Sequence, residues 1–168
     1  VSKLLALIKR KALMIKINTI LNNKEWYRYI KNPSIFVEKK IKKINKNFKK
    51  YKNNKIFCTL LLSGNNEIKK LNKKFRKKNK STDVLSFPFY KKKQLEKKLK
   101  KDKEVYLGDI IINLNKIKNK KNRIDFKLQF NRLWIHGLLH LFGYKHGKDK
   151  EYYKMLKIEK DFLSYLKK

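Results

Sequence analysis

HGLLHLFGYKH, residues 136–146, holds all three histidines of a 168-residue chain. On a helix, residues four apart lie about one turn from each other on the same face, so His136 and His140 aim two imidazoles at one point. Gly143 then accepts the left-handed conformation that ends a helix and turns the chain back. That reversal brings His146 toward the same point. Three neutral imidazoles with an open fourth position make a catalytic zinc site. A lone histidine on an apolar helix is more often a core residue, and pairs at this spacing arise by chance. All the histidines of a chain falling on one ligand frame is rarer, and favours a metal.

The frame is H-x3-H-x2-G-x2-H, the metzincin protease pattern with one change: the glutamate that should follow the first histidine is Gly137. That glutamate is the proteases' general base, so the pattern predicts a zincin-like metal helix without zincin proteolysis. From Phe126 to Phe142, the residues Phe130, Trp134, Ile135, Leu138, Leu139 and Leu141 cover most of the helix circumference. Such a helix is central and packed on several sides. Gln129, Arg132, His136 and His140 form its one polar stripe, which must find internal partners or a metal. No carboxylate lies near it in sequence.

Upstream, Asn65 to about Arg76 reads as a helix, Lys77 to Thr82 as a polar loop, and Val84, Leu85, Phe87 and Phe89 as a short strand with Pro88 near its end. A further strand follows in EVYLGDIIIN, residues 104–113. Between them, Lys91 to Lys103 carries eight lysines and reads as a solvated helical or disordered excursion. Nearer the amino terminus, MIKINTI opens a first strand at Met14, Glu25 to Ile30 suits a short helix, and Ser34 is the candidate N-cap of a helix running to about Tyr51. Lys55 to Ser63 is a second strand. Its Cys58, the single cysteine, reads as a buried strand residue and offers no disulfide framework. Lys150 to Leu166 repeats apolar residues at helical spacing, with Met155 as core.

These elements predict an α+β fold: a single domain with a small mixed sheet of about four strands, five to six helices and the zincin-like metal helix at its centre. One domain over 14–168 is long enough to bury a core, and a monomer is expected. Residues 1–13, VSKLLALIKRKAL, read as an extension outside the native domain or a frayed surface helix, since the apolar run is short and lacks a small-residue cleavage site. No stretch reaches the length of a membrane span.

The net charge of +35 attracts phosphates, yet it says less than its size suggests. Lysines number 43 of the 48 basic residues, and alanine occurs only at positions 6 and 12. A genome rich in A and T produces that bias in proteins of any function. The scarcity of arginine draws attention to Arg76, because a guanidinium fork suits bidentate phosphate contact. An ordinary cation near a helix C-terminus would look the same.

STDVLSFPF (81–89), LGDIII (107–112) and HGLLHLFGYKH, in that order, resemble the bacterial YbeY family of metal-dependent endoribonucleases. The match runs from about Ile15 to the C-terminus. The resemblance implies one zinc ion per chain on His136, His140 and His146, and makes Arg76 the counterpart of a functionally important arginine. Met155 and Glu159 fall where the family's last helix usually carries a methionine and a glutamate. It further implies single-strand-specific cleavage of ribosomal RNA, maturation of the 3′ end of small-subunit rRNA, ribosome quality control with the small subunit as partner, and a cytoplasmic location. One departure stands out: the family's usual Asp before the third histidine is Lys145, and loss of such a supporting group typically costs about 10- to 100-fold in metal affinity. No general acid is evident. Asp83 and Asp109 have suitable chemistry, but each also suits a hydrogen-bond acceptor at a strand end or turn. The competing reading is a non-catalytic RNA-binding ribosome-assembly factor with a structural zinc.

Overall fold

Period-two alternation in the second strand decides how the sheet is covered. Leu60 and Leu62 point into the main core, whereas Leu61 between them packs against a smaller cluster on the other face. The computed structural model describes residues 14–48, 50, 53–147 and 149–167. Four strands, β1 (Ile15–Leu21), β2 (Lys55–Ser63), β3 (Val84–Pro88) and β4 (Glu104–Asn113), form one sheet in the order β1-β2-β4-β3. The first three in that order run parallel, and β3 is antiparallel to β4 at the edge. Five α-helices surround it: α1 (Pro33–Asn47), α2 (Asn65–Arg76), α3 (Lys92–Lys101), α4 (Arg123–Leu141) and α5 (Asp149–Lys167), with 3₁₀ turns at Lys24–Arg28 and Leu114–Lys116. The α+β architecture predicted from the sequence is therefore found.

Helix α4 is the central element, as its apolar circumference requires. Phe126, Phe130, Trp134, Ile135 and Leu138 are wholly buried, together with Val37 and Ile44 of α1, Phe162 of α5 and Ile110 and Ile112 of β4. On the opposite face α2 buries Ile68 against Leu85 and Ile111. Cys58 is buried in β2, as expected, and burial pushes its thiol up to about 12, which keeps it an unreactive thiol.

Two local expectations need correction. The N-cap of α1 is Asn32, not Ser34: Asn32 is extended and its side chain accepts from Ile35 N at 3.0 Å, while Pro33 takes the first helical position for which its ring is pre-set. Ser34 instead donates to the Thr19 carbonyl. The same helix ends at Asn47, because Phe48 adopts an extended conformation; Tyr51 lies outside the described residues, as do residues 1–13. The lysine-rich excursion takes its helical form as α3, where Leu95 is buried against the domain.

Glycines set two close approaches. In β4, Leu107 and Gly108 span the register step opposite Cys58 alone, a β-bulge, with Gly108 at φ +129°. The Gly-Asp pair thus marks a bulge inside a strand rather than a turn. A Cβ on Gly108 would lie 2.1 Å from the Phe87 carbonyl oxygen. At Gly137, the helix meets the sheet so tightly that a Cβ would lie 2.6 Å from Ile110 Cγ2. In urea unfolding, Gly137→Ala is expected to destabilise by about 1 kcal/mol, overpacking of about 1–3 outweighing a gain of about 1 in helix propensity. Gly108→Ala is expected to cost more than about 2 kcal/mol, since backbone strain adds to a clash with backbone atoms. The reverse order would show that the helix–sheet contact at Gly137 constrains the fold more tightly than the bulge at Gly108.

Candidate metal centre

The last two turns of α4 carry His136 and His140 half-buried on one face, and the chain reverses immediately after them. Gly143, at φ +82°, donates to the His140 carbonyl at 2.9 Å, and Tyr144 N donates to the Leu139 carbonyl at 3.1 Å. The reversal returns exposed His146 to the pair. One ring nitrogen of each of the three histidines lies within 4.8 Å of the others. The closest two, Nε2 of His136 and of His140, are 3.0 Å apart. A tetrahedral zinc with Zn–N bonds of about 2.0–2.1 Å separates its nitrogens by about 3.3 Å, which is of the same order as the spacing found here.

The chemistry of this pair fits a cation. His136 Nδ1 lies 3.0 Å from the Glu159 carboxylate, and His140 Nδ1 lies 2.9 Å from the Tyr144 carbonyl oxygen. An ionised carboxylate and a carbonyl only accept, so both Nδ1 atoms carry the proton in the neutral rings. Each Nε2 then presents a lone pair, and the two lone pairs face each other at 3.0 Å. His140 is pushed down to about 4, first by burial and then by the charge of His136; the bond to the Tyr144 carbonyl opposes this, and His146 and Arg76 add to it. A cation bound here would take both Nε2 lone pairs as ligands.

The polar stripe resolves differently along its length. Arg132 is exposed, and Gln129 accepts from Lys118 N at 2.8 Å, so these two require nothing from a metal. The stripe does have a carboxylate partner, Glu159, which arrives from α5. Its signal was in the sequence: Met155, Phe162 and Leu166 are the buried stripe of α5, and Glu159 places a charge in the middle of that apolar run. The Tyr144 carbonyl, by contrast, left no trace in residue type. His146 stands apart. Among the described residues no hydrogen bond holds its ring, and Lys145, where a carboxylate would support it, is exposed.

Beside His140 opens a cleft of about 690 Å³. Arg76 lines it from the end of α2, Ser86 and Pro88 from the edge strand β3, and Gly143, Tyr144 and Lys145 from the histidine loop. Arg76 is positioned by the loop after α2, which Asn72 ties down through Nδ2 to the Lys80 carbonyl at 2.6 Å. The structure thus brings Arg76 to the histidines across more than sixty residues of sequence. Asp83 and Asp109 stay out of the cleft. Asp83 accepts from Thr82 Oγ1 and Val84 N at the start of β3, and Asp109 accepts from the Tyr106 hydroxyl within β4.

Comparison with known proteins agrees with this geometry. A family model described as endoribonuclease YbeY matches residues 20–167. The endoribonuclease YbeY of Pelagibacter ubique is 42% identical over 156 residues, 92% of this chain and 97% of that one. That of Ehrlichia canis is 35% identical, covering 91% and 93%. A Thermotoga maritima protein solved in solution superposes with a TM-score of 0.58 at 27% identity, covering 90% of this chain and 89% of that one. With the three-histidine helix, the sheet order and these matches in agreement over nearly its whole length, the chain belongs to the YbeY endoribonuclease family.

Proposed function

We propose that the chain is a zinc-dependent endoribonuclease specific for single strands, acting in the cytoplasm on ribosomal RNA. Its tasks would be maturation of the 3′ end of small-subunit rRNA and ribosome quality control. The observation that carries this reading is the facing pair of Nε2 atoms beside a cleft walled by Arg76. The names of the relatives supply the reaction class. No helix among the described residues is long and apolar enough to cross a membrane.

In this reading His136, His140 and His146 hold one zinc ion per chain. An ion held there would activate water for hydrolysis, which makes the glutamate that Gly137 replaces dispensable. Glu159 keeps the proton of His136 on Nδ1, and the Tyr144 carbonyl does the same for His140, so both rings arrive with the correct nitrogen free. Arg76 carries a permanent positive charge to the cleft and stabilises the negative charge that grows on the non-bridging phosphate oxygens. Ser86 and Pro88 of the edge strand form a wall along which an extended strand of RNA lies.

Elemental analysis of protein purified without chelators or a histidine tag is expected to find about one zinc per chain, and none in His140→Ala. Absence of metal from the folded wild-type protein would remove this mechanism and leave the RNA-binding assembly factor as the better account. Glu159→Gln retains the shape but weakens the hold on the Nδ1 proton, and should loosen zinc by about 10- to 100-fold in a competition titration. Arg76→Ala should lower kcat on single-stranded rRNA fragments by about 100- to 1,000-fold with zinc content and circular dichroism unchanged. Cleavage equal to wild type in Arg76→Ala would take that residue out of the chemistry.

A further inference from the structure

One wall of the cleft has no part in holding a metal. Phe89 follows β3 and lines the cleft together with Tyr90, Lys91 and Lys92, opposite Lys145. It is the most exposed of ten phenylalanines, at 66%, in a domain that buries or half-buries every other except Phe75. An aromatic ring left in water at the mouth of a reactive site is a surface waiting for an apolar or π-faced group.

The ring is held firmly. Phe89 N donates to the Leu107 carbonyl at 2.8 Å, beside the bulge where Gly108 lets the two backbones approach. Tyr90 and Tyr106 meet the Phe89 ring at steep angles, 79° and 73°, with centroids 5.0 and 5.9 Å away, so neither is stacked parallel upon it. Lys92, in the first turn of α3, lies close beside Gly143, where an added Cβ would come within 3.1 Å of Lys92 Cβ and Cγ. Around the ring the cleft lining contains four cations, Arg76, Lys91, Lys92 and Lys145, and no carboxylate.

We propose that Phe89 is a stacking platform for one unpaired RNA base near the scissile bond, with Lys91, Lys92 and Lys145 holding the phosphates around that nucleotide. Base stacking on an aromatic ring tolerates any sequence, since every base has a π-face. It does not tolerate a duplex, whose bases already stack on one another. The ring therefore reads single-strandedness directly, and the lysines add affinity that falls with salt. This subsite rests on the endoribonuclease reading of the neighbouring histidines for its biological meaning, though not for its binding chemistry.

The test is binding of a short single-stranded RNA carrying a fluorescent base analogue, measured in EDTA so that no strand is cut. Wild type and Phe89→Trp are expected to bind and to quench the analogue. Phe89→Leu, which keeps apolar bulk without a π-face, should bind about tenfold more weakly and lose the quenching. With zinc restored, Phe89→Leu should raise KM by a similar factor while kcat at saturating RNA stays close to wild type. A duplex of the same sequence should not distinguish the proteins. Equal affinity and equal quenching in Phe89→Leu would overturn the stacking platform even if the enzyme cuts normally. Phe89-dependent binding by a protein that cuts no RNA would uphold the platform and sink the nuclease reading.

Discussion

Helix α4 and the sheet approach each other at Gly137 with no room for a further carbon, and the arrangement of the site follows from that contact. A side chain there would strike Ile110 and Ser86. The position next to the first histidine is therefore committed to packing, which explains in steric terms why the protease glutamate has no place in this chain. Drawing the helix onto β3 and β4 also sets the two imidazoles beside the edge strand. One helix–sheet distance thereby sets the histidine pair and the cleft side by side.

The fold holds the two imidazoles with their Nε2 atoms 3.0 Å apart. It does so by burying α4 on nearly all sides. Phe126, Phe130, Trp134 and Leu138 are each fully buried, and each such side chain contributes roughly 1.5–3 kcal/mol. The tautomers are set separately, by Glu159 from α5 and by the Tyr144 carbonyl from the loop. The third ligand is treated differently, since His146 is exposed and lacks such support. The pair on α4 is thus supported from two other segments, while the third imidazole stands in solvent.

Lysine-rich α3 shows how a composition bias is put to local use. Most of its cations face water and have no structural consequence. Lys91 and Lys92, at its start, are different because Gly143 permits the helix to dock against the histidine loop. The same glycine that ends α4 thus admits a positively charged wall to the cleft. Burial of Leu95 holds the rest of the helix in place.

The sequence by itself determined the elements whose causes are local. The histidine frame, the left-handed glycine after it and the all-round apolar face of α4 each follow from residue type and period. The edges of α1 were misplaced because Asn32 and Ser34 are both good caps, and only the conformation around Pro33 decides between them. What tertiary structure alone decided is everything that depends on convergence of distant segments. Glu159 reaches His136 across twenty-three positions, Arg76 reaches the same cleft from α2, and Asp83 and Asp109 turn away to strand contacts. The physical reason is range: periodicity and backbone preference act over one or two turns, whereas a site is made by packing, which joins residues according to volume and distance and leaves no local mark in the order of the chain.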